Sequence, residues 1–344
     1  MRIGDRLVGH GHPAFVIPEA GTNHMGQPEI AHKMIDLASW CGVDAVKFQK
    51  RNVDRILTRD GLDAPYTGPH SFGPTYGEHR RALEFTFEVF QDLKRHAAEK
   101  GLEFLASAWD EESVDFLDDL GVLAFKIASA DLTNHPLLKH TGGKGKPVLL
   151  STGMSTPEEI DQAVDLLRAG DAPFALLQCT STYPSAFGEI NLRVMDTYRA
   201  RYNCVVGYSG HEMGIAIPPV AVALGASIIE RHYTLDRTWK GSDQAASLEP
   251  SGLSKMVRDI RHVEEAMGDG RKGLYHSEVA VRKKLAKSVV SAVDVPKGTV
   301  IEAEMITTKG PGTGISPAQL DEVIGRRAAR DIAADQVIKM EDLK

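Results

Sequence analysis

Residues 204–235 read CVVGYSGHEMGIAIPPVAVALGASIIERHYTL, and they carry a pattern that recurs along the chain. Two short runs rich in Val and Ile, Cys204–Tyr208 and Ser227–His232, flank a segment of helical period, Gly214–Leu224. A strand, a helix and a second strand in this order form a βα unit, in which the two strands pair in parallel. This stretch therefore predicts an α/β protein with a parallel sheet.

The alternation of apolar runs and helical segments recurs over the first 273 residues. Eight strands are predicted, near Ala14–Pro18, Asp44–Gln49, Glu103–Ser107, Ala124–Ala128, Pro147–Ser151, Phe174–Gln178, Cys204–Tyr208 and Ser227–His232. The helices predicted between and after them include Pro28–Trp40, Phe87–Lys100, Glu111–Leu120, Pro157–Leu167, Leu192–Arg201, Gly214–Leu224 and Ser251–Met267. Eight βα units match a (β/α)8 TIM barrel, which takes about 250 residues. A doubly wound sheet is the alternative fold.

The pattern changes after Gly273, so residues 1–273 are predicted as the barrel domain. The charged residues 274–286 are predicted as a linker. Residues 287–344 contain short β runs separated by Pro-Lys-Gly and Pro-Gly-Thr-Gly turns, which indicates a small β-rich domain. Because a domain of about 60 residues has a marginal core, we expect it to lean on another surface.

Composition limits the partners that the chain can have. The 344 residues carry 47 acidic and 40 basic side chains, and the net charge of −7 disfavours a nucleic acid or an anionic membrane as partner. No stretch approaches the roughly 20 apolar residues that cross a bilayer. Cys41, Cys179 and Cys204 are widely spaced, so neither a disulfide framework nor a zinc knuckle is indicated. We therefore expect a soluble protein of the reducing cytoplasm.

Polar side chains cluster where the predicted strands end, which is the catalytic end of a TIM barrel. They are Glu19, Asn23, His24, Lys47, Gln49, Ser107, Lys126, Ser129, Asp131, Ser151, Thr152, Thr180, Ser181, Tyr183, Ser209, His211, His232 and Asp243.

Two lysines, Lys47 and Lys126, lie inside apolar strands, where an unpaired ammonium group is costly. We expect them to face an anion, with Ser129, Ser151 and Ser209 completing a phosphate or carboxylate cradle. The alternative is that the lysines extend to the barrel rim or pair with acids.

His211 and His232 follow neighbouring predicted strands, so their imidazoles are expected to converge on one metal ion. Glu19 and Asp243 are expected nearby. Two nitrogen ligands with oxygen donors otherwise favour an open Mn²⁺ or Mg²⁺ site over structural zinc. The alternative is that each histidine is a hydrogen-bonded core residue.

A long segment without helical or strand pattern runs from Asn52 to about Glu84 and contains DAPYTGPHSFGPTYGEHRRALEF. Loops of this length are usually functional or disordered. The aromatic, His and Arg residues in it favour a binding loop, and a plain surface excursion is the alternative.

The motifs EAGTNHMG, VDAVKFQK, FKIASAD, LSTGMST, LQCTSTYP, GYSGHEMGIAI, VALGASIIERHYTLD and GSDQAASLEP together resemble the sialic acid (N-acylneuraminate or N-acylneuraminate-9-phosphate) synthase family. The resemblance runs from about Phe15 to Leu343. It implies a TIM barrel followed by a small antifreeze-like SAF (β-clip) domain, and a domain-swapped homodimer. It also implies a transferase that uses Mn²⁺ or Mg²⁺ to condense phosphoenolpyruvate (PEP) with N-acetylmannosamine or its 6-phosphate, releasing phosphate by C–O cleavage.

The resemblance also assigns roles to individual residues. PEP contacts fall on Lys47, Ser107, Lys126, Ser129, Ser151 and Ser209. The metal ligands are His211 and His232, and sugar contacts or proton transfer fall on Glu19, Gln49, Tyr183 and Asp243. The implied catalytic set is Glu19, Lys47, Lys126, His211 and His232.

Three positions depart from the family pattern. Gln244 replaces a histidine, Asp131 replaces a glutamate, and Gly310 stands where bacterial enzymes that use the free sugar often have an arginine. Recognition of a 6-phosphate is therefore expected to fall on the loop after the second strand, through His70, His79, Arg80 and Arg81.

Two other functions are alternatives. One is a related nonulosonic acid synthase with another aldose, making KDN or its 9-phosphate, legionaminate or pseudaminate. The other is a non-enzymatic sugar-binding or antifreeze-like protein, in which charged groups at the barrel mouth have no role.

Overall fold

Eight parallel strands close into a barrel in the computed structural model, which describes residues 1–344. We name them β1 to β8 in chain order; they span Phe15–Glu19, Ala45–Lys50, Glu103–Ala108, Phe125–Ile127, Val148–Ser151, Phe174–Cys179, Val205–Gly210 and Ile228–His232. Each strand pairs with the next, and β8 closes the ring on β1, with His232 opposite Glu19. The predicted TIM barrel is confirmed, and the doubly wound alternative is wrong.

Eight main helices alternate with the strands. They are named α1 to α8 and span Pro28–Trp40, Phe87–Glu99, Glu111–Leu120, His135–Gly142, Pro157–Ala169, Val194–Tyr202, Ile217–Ala223 and Pro250–Met267. The hydroxyl of Thr156 caps α5 by accepting from Glu159 N, and the Glu159 carboxylate accepts from Thr156 N at 2.7 Å. Helix α7 begins later than predicted because two consecutive prolines fit in the first turn of a helix but not further along.

The barrel interior is apolar at the amino ends of the strands and polar at their carboxyl ends. Its apolar layer contains Phe15, Ile17, Ala45, Leu105, Leu149, Ala175, Leu177 and Ile228. A two-stranded antiparallel pair near the chain start, Arg2–Ile3 with Arg6–Leu7, adds Ile3 and Val8 to this cluster and plugs the amino end. Because strand side chains alternate between the faces, the inward positions that follow are those of the predicted polar set.

The long segment after β2 is built of short elements. Three single-turn helices, Val53–Ile56, Arg59–Asp63 and Tyr76–Arg81, lie in it. A bridge between Pro65 and Thr75 closes its tip. The amide of Gly241, in the loop after β8, donates to His70 Nδ1 at 3.2 Å, so the two loops are joined.

Residues 269–344 form a second unit, separate from the unit Met1–Gly268. It contains a helix α9, Val279–Leu285, two antiparallel strands, β9 (Ser288–Ser291) and β10 (Ile306–Lys309), and a short helix α10, Leu320–Val323. Its core includes Val289, Val295, Ile301, Ile315, Val323, Ile332 and Ile338. The predicted linker holds α9. No helix of the chain is long and apolar enough to cross a membrane.

Candidate active site

A cavity of about 250 Å³ opens at the carboxyl ends of the strands. It brings together most of the predicted site residues; its lining includes Glu19, Lys47, Gln49, Ser107, Trp109, Lys126, Ser129, Ser151, Cys179, Ser181, Tyr183, Ser209, His211, Glu230 and His232. A larger cavity of about 670 Å³ lies beside it, between α5 and α6, but Arg201 and Glu189 are the charged residues in its lining. The smaller cavity therefore holds the concentration of charge that chemistry requires.

Four charged side chains form the floor of this cavity, and all four are buried. Lys47 pairs with Glu19 and lies 2.9 Å from Ser107 Oγ and 3.7 Å from Glu230 Oε2. Lys126 Nζ donates to the Ile127 carbonyl at 2.9 Å and is 3.9 Å from Glu230 Oε1. The alternative of pairing with acids thus holds for Lys47, whereas Lys126 has a distant carboxylate partner.

The environment shifts these groups in opposite directions. Burial, together with the nearby Glu230 carboxylate, raises the pKa of Glu19 above its usual value despite the opposing Lys47 charge. Burial lowers the pKa of Lys126. Burial also acts to lower the pKa of Lys47, but Glu19 and Glu230 outweigh it and raise that pKa. Lys47 is therefore held charged by acids, and an anion near Lys126 would stabilise its charged form.

Serine hydroxyls and a backbone amide surround the lysines. Ser209 Oγ donates to Glu230 Oε1 at 3.1 Å, and Gly153 N donates to Ser129 Oγ at 2.9 Å. The buried Ser151 hydroxyl has no hydrogen-bond partner. A free buried hydroxyl beside a lysine is suited to an anionic ligand.

A chain of polar contacts leads from Glu19 toward the loop after β2. Gln49 Nε2 donates to Glu19 Oε1 at 2.9 Å, and Gln49 Oε1 accepts from Arg51. Arg51 is buried, with Nε 2.9 Å from Glu84 Oε1 and its guanidinium 5.0 Å from the centre of the Trp109 ring. The sequence analysis did not predict a role for Arg51, although Arg51 comes directly after the last residue of β2, two positions beyond Gln49.

His211 and His232 face each other, with ring centroids 5.5 Å apart. His211 Nδ1 lies 2.9 Å from the Thr180 carbonyl oxygen, which can only accept, so Nδ1 carries the hydrogen and Nε2 is free in the neutral ring. His232 Nδ1 is buried without a partner. Burial lowers the pKa of His232 to about 4, so it is neutral at pH 7.

Asp243 lies beside the histidine pair, whereas Glu19 is engaged by Lys47 and Gln49. Thr22 Oγ1 donates to Asp243 Oδ2 at 3.1 Å. A Cβ on Gly21 would lie 2.8 Å from Asp243 Oδ2 and 3.1 Å from the His232 ring, so only glycine fits there, with φ +53°. Tyr183 packs over His211, with ring centroids 4.0 Å apart.

These residues fit a divalent cation. His232, whose lowered pKa keeps it neutral, has an unpartnered Nδ1, His211 leaves Nε2 free because its Nδ1 contacts the Thr180 carbonyl, and the Asp243 carboxylate lies alongside. The fit extends to the two imidazole nitrogens, because no group of three or more His, Cys, Asp and Glu side chains is arranged around one point; water or substrate oxygens would supply the other ligands.

The cavity lining does not include the four residues predicted to recognise a 6-phosphate from the loop after β2: His70, His79, Arg80 and Arg81. His79 is buried against Tyr66, and its pKa is lowered to about 4 by burial and by neighbouring charges such as Arg80, so it is neutral. His70 binds the β8 loop, and Arg81 pairs with Asp54 on the surface. His79 and Arg81 therefore already have partners within the protein, and their contact with a sugar stays a prediction.

Two cations in the loops after β2 and β8, which His70 and Gly241 join, have no carboxylate at ion-pair distance. Arg80 donates to Tyr76 Oη at 2.9 Å and lies 4.9 Å from the centre of the Tyr76 ring. Lys240, which sequence reasoning missed, lies 4.6 Å from the centre of the Phe72 ring. Both aromatic rings pack around His79. We call Arg80 and Lys240 the rim cations.

Several other predicted residues serve the structure. Asn23 donates to the Tyr233 carbonyl at 2.7 Å, and burial lowers the pKa of His24 to about 3 in its stack on Phe85. Burial raises the pKa of Asp131 to about 6, but Asp131 lies outside the cavity lining.

Glu212 and Arg231, which sequence reasoning also missed, form a buried ion pair with Arg231 Nη1 2.5 Å from Glu212 Oε1. Glu230 was missed as well, although strand alternation puts it on the same face as His232.

Fold and cavity together define a TIM-barrel protein with a charged site at the carboxyl ends of its strands, the end where this fold carries out catalysis. The NeuB family profile matches residues 34–272, and the SAF domain profile matches residues 286–344. The chain belongs to the NeuB family, and the resemblance found in the sequence is confirmed.

Relatives with assigned activities are similar over nearly the whole chain. The N-acetylneuraminate-9-phosphate synthase of Homo sapiens is 44% identical, over 98% of this chain and 94% of that protein. The N,N'-diacetyllegionaminic acid synthase of Legionella pneumophila is 35% identical, over 96% of this chain and 94% of that protein. The crystal structure of the N-acetylneuraminic acid synthetase of Leptospira borgpetersenii, in complex with citrate, has a TM-score of 0.72 at 35% identity and covers 82% of this chain and 94% of that one. These relatives are condensing enzymes of sialic acid type.

Proposed function

We propose that this protein condenses PEP with N-acetylmannosamine 6-phosphate to give N-acetylneuraminate 9-phosphate and inorganic phosphate. The observation that carries the proposal is the cavity that Lys47, Lys126 and the unpartnered Ser151 hydroxyl share with the neighbouring imidazoles of His211 and His232. A non-catalytic sugar-binding protein has no need of a buried lysine such as Lys126, whose nearest carboxylate oxygen is 3.9 Å away, because burying a poorly paired charge is costly.

PEP is proposed to bind on Lys126 and Lys47, with the hydroxyls of Ser107, Ser129, Ser151 and Ser209 as further donors. Lys126 has its nearest carboxylate at 3.9 Å, so an incoming carboxylate or phosphate improves its charge balance. The unpartnered Ser151 hydroxyl supplies a donor that the protein itself leaves unused. Charge-assisted bonds of this kind are worth about 1.5–3 kcal/mol each.

His211 and His232 are proposed to hold a divalent cation, Mn²⁺ or Mg²⁺, whose chemistry is to polarise the aldehyde of the open-chain sugar. His211 contributes Nε2, because its Nδ1–H is committed to the Thr180 carbonyl. Asp243 and Tyr183 border the pair and are proposed to orient the sugar.

The protein side chains have distinct parts in the reaction. The bond between C3 of PEP and the aldehyde carbon forms first, as the C2–C3 π bond opens and the aldehyde oxygen takes up a proton from solvent. Water then adds to the electron-deficient C2 of PEP. Glu19, held by Lys47 and Gln49 and made more basic by burial, accepts the proton of that water. The C–O bond to phosphate then breaks, and Lys47 and Lys126 stabilise the departing negative charge.

The rim cations support a phosphorylated acceptor. Arg80 and Lys240 lie on aromatic faces and lack carboxylate partners, and Gly310 offers no side chain in place of the arginine common in enzymes of the free sugar. The 44% identity to the human N-acetylneuraminate-9-phosphate synthase favours the same choice. We assign the 6-phosphate to Arg80 and Lys240, with His70 and His79 holding the loop in place.

A second candidate is a related nonulosonic acid synthase, which the 35% identity to the Legionella enzyme keeps open. A phosphate-release assay with PEP distinguishes the two. The acceptors are N-acetylmannosamine, its 6-phosphate, mannose, mannose 6-phosphate and a 2,4-diacetamido hexose, each with and without Mn²⁺. The highest kcat/KM is expected for N-acetylmannosamine 6-phosphate. A preference for the diacetamido sugar supports the second candidate, and no phosphate release with any acceptor contradicts both.

We further propose a cytoplasmic, domain-swapped homodimer in which the SAF unit of one chain covers the barrel of its partner. The small core of residues 269–344 and the charged residues 274–286 near the start of this unit support this arrangement. Light scattering coupled to size exclusion is expected to give twice the chain mass of 37.5 kDa. A mass equal to one chain rejects the dimer.

A further inference from the structure

Both proposed metal ligands adjoin a single buried ion pair. Glu212 directly follows His211, and Arg231 directly precedes His232. The two charged side chains meet, with Arg231 Nη1 2.5 Å from Glu212 Oε1, and their side chains are 1% and 0% exposed. The pair therefore connects the two backbone segments from which the imidazoles project.

Hydrogen bonds fix both the carboxylate and the main-chain carbonyl of Glu212. Tyr208 Oη donates to Glu212 Oε2 at 2.6 Å, and Arg231 Nη2 donates to the Glu212 carbonyl oxygen at 2.6 Å. Arg231 Nη1 also donates to the Gly214 carbonyl at 3.1 Å. One guanidinium thus grips both the side chain and the main chain of the segment that carries His211.

Stability alone does not account for charge at this place. Burying two ions costs desolvation free energy, and apolar residues of similar volume are often as stable or more so. Arg231 lies on β8, where its outward neighbour Ile229 is apolar and belongs to the core under the helices, and Glu212 lies two residues past the end of β7, whose outward Val206 belongs to the same core. Arg231 therefore occupies a strand position of the kind that apolar side chains fill nearby.

We propose that the Glu212–Arg231 pair is a positioning device that sets the separation and orientation of His211 and His232 for a shared divalent cation. The inference rests on the metal site of the proposed function. Groups that orient metal ligands typically change metal affinity by about 10–100-fold when replaced.

The test measures metal binding and folding separately. Metal-free protein is titrated with Mn²⁺, free Mn²⁺ is followed by electron paramagnetic resonance, and thermal unfolding is recorded without metal. The double variant Glu212→Leu/Arg231→Met keeps the volume filled and removes both charges. We expect it to remain folded, although the Tyr208 hydroxyl loses its acceptor, and to bind Mn²⁺ about 10–100-fold more weakly.

A control and a milder variant complete the design. Arg261→Met breaks a different ion pair, with Asp44 at 2.9 Å, at the amino end of the barrel, and is expected to leave Mn²⁺ affinity unchanged. Arg231→Lys keeps the charge but loses the planar fork, so it is expected to fold and to bind Mn²⁺ more weakly; it decides the matter if the double variant does not fold.

The outcomes distinguish the positioning role of the Glu212–Arg231 pair from the metal site on which it rests. Wild-type binding of Mn²⁺ together with unchanged affinity in the folded variants overturns the positioning role alone. A wild-type protein that binds no Mn²⁺ rejects the metal site, and the positioning role with it.

Discussion

The two ends of the barrel use the same strands for opposite purposes. At the amino end, Phe15, Leu149 and Ile228 pack with Ile3 of the plug into a dry apolar layer. At the carboxyl end, the same alternation presents Glu19 and Lys126. The apolar layer stabilises the fold, whereas burying the charged layer costs free energy that a bound anion and cation would recover. Positions only a few residues apart on the same strand thus serve stability at one end of the barrel and the candidate site at the other.

The largest effect is expected from the histidine pair. His211→Ala or His232→Ala should lower kcat/KM more than about a hundredfold, because each removes one of two proposed nitrogen ligands and ligand loss exceeds the effect of an outer contact. Phosphate release with and without a chelator measures this. Undiminished turnover after exhaustive chelation would contradict the metal site.

A substitution in the apolar layer at the amino end of the barrel should change stability and leave PEP binding unchanged. Leu149→Ala leaves a cavity in the apolar layer and is expected to lower the free energy of unfolding by about 2–5 kcal/mol. Its KM for PEP should stay at the wild-type value, measured on folded protein. A large change in KM with little loss of stability would mean that the two layers are not independent.

Lys126→Met tests the charged layer. The fold should survive, since Lys47 remains 3.7 Å from Glu230. The KM for PEP should rise and kcat should fall, with a combined loss of about tenfold to a hundredfold from one charge-assisted contact. Steady-state kinetics and a melting curve check this, and unchanged PEP kinetics would mean that the lysine is structural.

The rim cations should act on one substrate alone. Arg80→Met or Lys240→Met is expected to lower kcat/KM for N-acetylmannosamine 6-phosphate about tenfold and to leave the free sugar unaffected. Arg81→Met is the matched control, because Arg81 pairs with Asp54 instead. Equal losses on both sugars, or a wild-type preference for the free sugar, would remove the phosphate assignment.

The smallest effect is expected in the pH dependence of the free energy of unfolding. The pKa of His24 is lowered by burial to about 3, so the unfolded chain takes up a proton between its usual value of 6.5 and that pH while the folded chain does not. The free energy of unfolding therefore falls as pH falls through this window. Urea unfolding at pH 7 and pH 5 should show a smaller fall in His24→Phe than in wild type. An equal fall in the two proteins would assign the acid sensitivity elsewhere.

Periodicity was sufficient to predict the barrel, because each strand and helix carries its own apolar pattern. The rule that catalytic groups follow barrel strands also predicted that Lys47, Lys126 and both histidines would lie together, and all four line the candidate cavity. Glu230 could have been found by the same alternation. Arg51 and the rim cations could not, because their directions depend on tertiary contacts with Glu84, Tyr76 and Phe72.

The antiparallel pair at the chain start, which plugs the amino end of the barrel, limits the routes by which a ligand can reach the cavity. With the amino end closed, everything must enter and leave by the single opening bordered by Tyr183, which is 54% exposed, while Lys47 and Lys126 at the floor are each 2% exposed. A ligand seated on those lysines is covered by whatever arrives next. If PEP binds on those lysines as proposed, it must enter before the sugar, and the product must leave the opening before a phosphate beneath it can.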